Sequence, residues 1–120
     1  YTTYEVCRSF EEWPYADKTC YVFSRSADKP CIARLITEDP ASFAARLKAE
    51  AQGDIWLVGG GQIITLLHDA GLIDDYIITI IPVVLGDGIP LFPDVRTQVD
   101  LRLVACRAYN NGCVMLTWAR

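Results

Sequence analysis

Asp54-Ile55-Trp56-Leu57-Val58-Gly59-Gly60-Gly61-Gln62-Ile63-Ile64-Thr65-Leu66-Leu67 reads as an apolar strand that runs through three glycines straight into a helix. Such a corner delivers backbone N–H groups, with no side chains in the way, to the positive end of a helix dipole. That is a place for a phosphate or pyrophosphate. The glycines also let the backbone come close to a ligand and adopt dihedrals closed to other residues. The same run serves equally as a plain strand-to-helix turn, and it is neither G-x-G-x-x-G nor G-x-x-x-x-G-K-[ST]. Taken alone, the corner leaves both readings open.

The chain on either side supplies the context. Upstream, Asp39-Pro40 marks a helix start, with Asp as the cap and Pro in the first helical position. The helix is expected to run to about Ala51, with Phe43, Leu47 and Ala51 on its buried stripe and Gly53 beyond its end. Earlier still, Thr3–Phe10 reads as a short helix, and Thr19–Ser24 and Cys31–Thr37 read as strands. Asp54–Val58, apolar after its first residue, is expected to be a strand covered on both faces. Downstream, Gly61–Ala70 is a helix stopped by Gly71, and Asp75–Val84 is a long buried strand whose Pro82 marks a bulge or an edge. Val99–Ala108 and Cys113–Ala119 form a hairpin around Asn110-Asn111-Gly112. This order predicts an α/β domain with a mixed sheet and helices on its faces.

At 120 residues, 52% of them hydrophobic, the chain makes one domain with one sizeable core. A net charge of -4 and the lack of any basic run argue against a nucleic-acid partner. The most apolar stretch, Ile77–Leu85, is too short to span a bilayer. Cys7, Cys20, Cys31, Cys106 and Cys113 are odd in number and lack C-x-x-C spacing, so they read as reduced thiols of a cytoplasmic protein. His68 is the only histidine and no ligand cluster forms around it, so no metal is expected.

Three further stretches carry a resemblance. They are Leu72-Ile73-Asp74-Asp75-Tyr76-Ile77-Ile78-Thr79-Ile80-Ile81-Pro82-Val83-Val84-Leu85-Gly86, the loop Leu85-Gly86-Asp87-Gly88-Ile89-Pro90-Leu91-Phe92, and upstream Thr3-Tyr4-Glu5, Trp13-Pro14 and Tyr21-Val22-Phe23-Ser24-Arg25. With the glycine corner, in this order, the chain resembles the dihydrofolate-reductase-like family, in the branch of the C-terminal reductase domain of bacterial riboflavin biosynthesis. The resemblance implies a three-layer αβα domain whose mixed, mostly parallel sheet ends in an antiparallel hairpin. It implies one reductase-like domain over residues 1–120 that lacks the strand and substrate loop with which family members begin.

The implied activity is transfer of hydride from NADPH to a small heterocyclic or carbonyl substrate, such as a 5-amino-6-ribosylaminouracil-type pyrimidine, by a homodimer. True dihydrofolate reductase activity ranks below this. The competing reading is a dinucleotide-binding or dimerisation module that keeps the fold without the chemistry. In the resembling family, Gly59, Gly60, Gly61, Gln62 and Ile63 match the turn that meets nicotinamide ribose and pyrophosphate, with a cis Gly59–Gly60 peptide. Ser24, Arg25 and Ser26 match the contacts to the adenosine 2′-phosphate, a dianion that suits a bidentate Arg. Thr3, with its neighbour Thr2, matches a helix N-terminal turn that approaches the phosphates, while Tyr1 stands where many relatives carry Arg. No catalytic residue can be named from the motifs. Asp87, between two glycines on a loop, is the candidate, and it reads as readily as a turn Asp. Trp13, Trp56 and Trp118 read as core or interface residues, and His68 and Tyr76 as structural ones.

Overall fold

Helix α2 (Pro40–Glu50) forms where local chemistry directs it. The Asp39 carboxylate accepts from the Ser42 amide and hydroxyl, both at 2.8 Å, and Pro40 occupies a first-turn position whose amide would have no partner anyway. The helix buries Phe43, and the rings of Tyr21 and Phe23 meet it edge-on at 5.0 and 5.7 Å between centroids. Those two rings belong to β1 (Tyr21–Phe23), which pairs in parallel with β2 (Arg34–Ile36). The computed structural model describes residues 1–120.

The remaining elements are α1 (Thr2–Arg8), α3 (Gly61–Asp69), β3 (Asp75–Ile80), β4 (Arg102–Ala108) and β5 (Val114–Ala119). Helix α3 ends in a reversal in which Leu72 N donates to Leu67 O at 2.9 Å and Gly71 takes the left-handed backbone, φ 70, that an L side chain resists. The chain then enters β3, which pairs antiparallel with β5, and β5 pairs antiparallel with β4. The hairpin stands where Asn110-Asn111-Gly112 placed it, with one irregularity in β4 between Leu103 and Ala105. Strand β3 ends at Ile80, before Pro82, so the strand expected to reach Val84 is shorter by the residues around the proline.

The segment Asp54–Val58 departs most from expectation. It joins no ladder, and no backbone group from Asp54 to Gly59 bonds to another backbone group. Its side chains are open instead of covered, with Trp56, expected in the core or an interface, 78% exposed. Apolar composition suits a covered strand, but a strand also needs neighbours on its hydrogen-bonding edges. Here β1 pairs only with β2, and β3 only with β5. The sheet, expected to be mostly parallel, therefore stands in two parts, one parallel pair and one antiparallel trio. The core follows the same division: Val22 and Phe43 are buried beside β1, Leu67 is buried on α3, and His68 of α3 is buried against Tyr76 of β3.

Candidate functional site

The glycine corner keeps its amides free. Gly60 is the N-cap of α3, in extended backbone (φ -78, ψ 171), with no side-chain cap. The first amide of the helix with an acceptor is that of Ile64, bonded to Gly60 O, so the N–H groups of Gly59 to Ile63 have no partner in the protein. All peptide bonds are trans, Gly59–Gly60 included, in place of the cis bond that the resemblance implied.

The three glycines differ in what surrounds them. A Cβ on Gly61 would lie 2.5 Å from Pro93 Cδ and 2.8 Å from Pro90 O, so the corner admits the loop after β3 only because Gly61 has no side chain. A Cβ on Gly59 would strike Ile63 Cγ2 at 2.5 Å. A Cβ on Gly60 would meet nothing within 4 Å, and its backbone is open to any residue. The fold therefore gives reasons for glycine at 59 and 61 but none at 60, where the missing side chain leaves free space in front of unpaired amides.

That space belongs to a cleft lined by Thr2 and Thr3 of α1, by Ser24, Arg25 and Ser26 after β1, and by Gly59, Gly60, Gly61, Gln62 and Ile63. All the residues singled out for cofactor contact thus share one cavity, although they come from three separate parts of the chain. Its volume of about 2190 Å³ exceeds the roughly 300–1,000 Å³ of an ordinary small-molecule site, because it continues between β1 and the unpaired Asp54–Val58 segment. Ser24 and Ser26 brace the loop after β1: the Ser24 hydroxyl accepts from Ser26 N at 3.1 Å and the Ser26 hydroxyl from Asp28 N at 3.4 Å. Asp87 is not among the lining residues, and its carboxylate accepts from Gly88 N at 2.7 Å, as a turn Asp does.

One wall of the cleft was not legible in the sequence. A face of α3 holds the loop after β3 through three side chains. Thr65 Oγ1 donates to Pro93 O at 2.7 Å. His68 Nε2 lies 2.7 Å from Thr97 O, and a carbonyl only accepts, so this nitrogen carries the proton and Nδ1 accepts from the Tyr76 hydroxyl at 2.7 Å. The Asp69 carboxylate accepts from Arg96 N at 3.1 Å and Thr97 N at 3.0 Å. Partial burial works to raise the Asp69 carboxyl, but these two amides, with His68 close by, outweigh it and hold it below the usual carboxylate range. Burial pushes the Tyr76 phenol up. Phe92 closes the cluster against the His68 and Tyr76 rings at 6.1 and 6.2 Å. The i, i+3 and i+4 spacing of Thr65, His68 and Asp69 is the signal that could have been read as one helix face. Their partners, 27 to 29 residues further on, could not.

A family model described as the RibD C-terminal domain matches residues 10–115. The chain is 41% identical over 110 residues to the uncharacterized protein YwjB of Bacillus subtilis (strain 168), a match that takes in 90% of this chain and 63% of YwjB. It is 37% identical over 102 residues to the uncharacterized protein YyaP of the same organism, taking in 84% of this chain and 54% of YyaP. The chain thus spans less than two thirds of the length of either relative. Among solved structures, a Shewanella sp. PV-4 protein assigned to riboflavin biosynthesis superposes with a TM-score of 0.85 over 99% of this chain and 70% of that one, at 24% identity. At that identity the likeness speaks for the fold, and the dihydrofolate-reductase-like α/β architecture expected from the sequence is the one found.

Proposed function

Because this chain belongs to the RibD C-terminal domain family, the reductase-domain family of riboflavin biosynthesis, we propose that it binds NADPH in the glycine-corner cleft and serves its reduction of a small heterocyclic substrate. A 5-amino-6-ribosylaminouracil-type pyrimidine is the substrate class that best suits this reading. The observation that carries it is the empty space before Gly60: the amides of the corner are unpaired, and the fold has no need of glycine there. Those residues fit a dinucleotide. The amides of Gly59 to Ile63 would receive the pyrophosphate at the N-terminus of α3. The hydroxyls of Ser24 and Ser26 and the Arg25 guanidinium would hold the adenosine 2′-phosphate, and Thr2 and Thr3 would border the phosphates from α1. When bound, the cofactor supplies the hydride. The chain binds and orients it, and no triad or nucleophile is required. In line with free thiols at all five cysteines, we place the protein in the cytoplasm.

A homodimer belongs to the same reading. Strand β4 has a free edge, and Leu103 and Val104 on it are each 53% exposed, a surface that a second copy would cover. This exposed strand also keeps the second reading in view, in which the chain binds a dinucleotide or dimerises without turnover. Calorimetric titration with NADPH and NADH, followed by turnover assays over pyrimidines, pterins and quinones, separates the two. Tight NADPH binding, much weaker NADH binding and oxidation of NADPH by a pyrimidine are expected. Binding without turnover over the whole panel leaves the module, and no dinucleotide binding defeats both.

A further inference from the structure

Strand β1 gives one edge to β2 and leaves the other open. Arg34 N donates to Cys20 O and Ser24 N to Ile36 O, each at 3.0 Å. Backbone groups alternate in direction along a strand, so those of Tyr21 and Phe23 point away from β2. One of them is engaged: the Tyr1 amino nitrogen donates to Phe23 O at 3.0 Å. In a longer polypeptide that nitrogen is a backbone amide and makes the same bond. Asp54–Val58, the segment with no backbone partner on either edge, lies across the cleft. Val22 and Phe23 line the same cavity as Ile55, Trp56, Leu57 and Val58, so two edges that need partners border one space.

The walls of that space are apolar. Ile55, Trp56 and Val58 are 46, 78 and 41% exposed, and Phe43 and Leu47 of α2 border the cavity too. A phosphate-bearing ligand suits the glycine corner but offers nothing to these side chains or to a row of strand amides. Backbone satisfies both: an extended apolar segment supplies ladder bonds on its edges and side chains for its faces. Direction and source follow from Tyr1. Its nitrogen sits beside Phe23, the last residue of β1, so a strand that runs along this edge into Tyr1 ends where β1 ends and lies parallel to it. Parallel neighbours need a crossover of about a dozen residues or more. Residues 2–20, with α1 among them, are such a crossover.

We propose that polypeptide leading into Tyr1 forms a strand between β1 and Asp54–Val58, parallel to β1, and so joins β2, β1 and Asp54–Val58 into one sheet. YwjB and YyaP have the length for such a segment, since this chain takes in 63% of the one and 54% of the other. The strand is an apolar run without a central proline, because both its faces are covered and both its edges bonded. It covers Trp56 and gives backbone groups of Asp54–Val58 their partners. It also explains a cleft of about 2190 Å³, larger than an ordinary small-molecule site, since part of that volume is the place of the strand. The strand that the resemblance implied thereby acquires a position, a direction and two neighbours, whatever the cleft binds.

The test is made on the full-length protein, by hydrogen exchange and NMR. The amides of Tyr21, Phe23 and alternate residues over Ile55–Val58 are expected to exchange at least about 100-fold more slowly than in an unfolded chain, as ladder amides of a core sheet do. Backbone NOEs should join Tyr21 and Phe23 to the segment before Tyr1 in the parallel pattern, and the same segment to Ile55–Val58. Neither result should change with protein concentration. Exchange at the unfolded-chain rate overturns the proposal. So does protection whose NOEs lead to any other part of the chain, or whose order along β1 is antiparallel. Protection that rises with concentration assigns the space to a second copy and overturns it as well.

Discussion

Replacing Gly60 by Ala is the sharpest perturbation of this molecule, because the structure separates its effect on folding from its effect on binding. The added Cβ meets no atom within 4 Å, and φ -78, ψ 171 is ordinary extended backbone for alanine. Loss of a glycine stiffens the unfolded chain and stabilises the fold by about 0.4–1 kcal/mol. Alanine is a poorer N-cap than glycine by a similar amount, so the two terms offset to within about 1 kcal/mol. The melting temperature of Gly60→Ala is therefore expected within about 5 °C of wild type. Binding should respond differently. The methyl group occupies the free space in front of the corner amides and keeps a phosphate from at least one of them. A hydrogen bond to a charged group is worth about 1.5–3 kcal/mol, so the Kd for NADPH should rise by roughly 10- to 100-fold. Calorimetry gives the affinity and a thermal melt gives the fold. Gly61→Ala is the contrast, since its Cβ would lie 2.5 Å from Pro93 Cδ and 2.8 Å from Pro90 O, and it should lose about 1–3 kcal/mol of stability. An intact Gly60→Ala protein that binds NADPH as wild type does would refute the reasoning, for it would mean that no ligand lies against this corner.

Other perturbations test the framework around the site. Tyr76→Phe removes the hydroxyl that His68 Nδ1 accepts from at 2.7 Å in a buried pocket, and should cost about 1–3 kcal/mol in urea denaturation; an unchanged midpoint would show that the bond contributes nothing. Phe43→Ala deletes the ring on which Tyr21 and Phe23 pack and should cost about 3–5 kcal/mol, with the loss seen first at β1 in hydrogen exchange. The anchoring of the loop by Asp69 should be acid-sensitive. Its folded carboxyl lies below the unfolded value of about 4, so the contribution is complete above that pH and is lost as pH falls through the folded value. Limited proteolysis near Arg96 by an acid-active protease should accelerate over that interval in wild type but not in Asp69→Asn, and identical profiles in the two would contradict the assignment.

Much of this protein is determined by short stretches of chain. Asp39-Pro40 starts α2, Gly71 stops α3, and Asn110-Asn111-Gly112 turns the hairpin, each through cap or turn chemistry that acts within a few residues. The glycine corner and the residues that match it to its family are local in the same sense, which is why candidates for cofactor contact could be proposed before any fold was seen. Tertiary structure alone decided what lies between these pieces. Ile55, Trp56, Leu57 and Val58 have the composition of a covered strand, but a ladder requires an edge from elsewhere, and none reaches them here, so Trp56 stands open where burial was expected. Glycines 59, 60 and 61 are identical as letters; only the positions of Ile63, Pro90 and Pro93 distinguish the two that the fold needs from the one it leaves free. The clamp from Thr65, His68 and Asp69 to the loop at Pro93, Arg96 and Thr97 joins residues too far apart in the chain for any periodicity to link them. A sequence encodes directly what depends on neighbours along the chain, while contacts closed over long loops are settled only when the whole backbone has found its path.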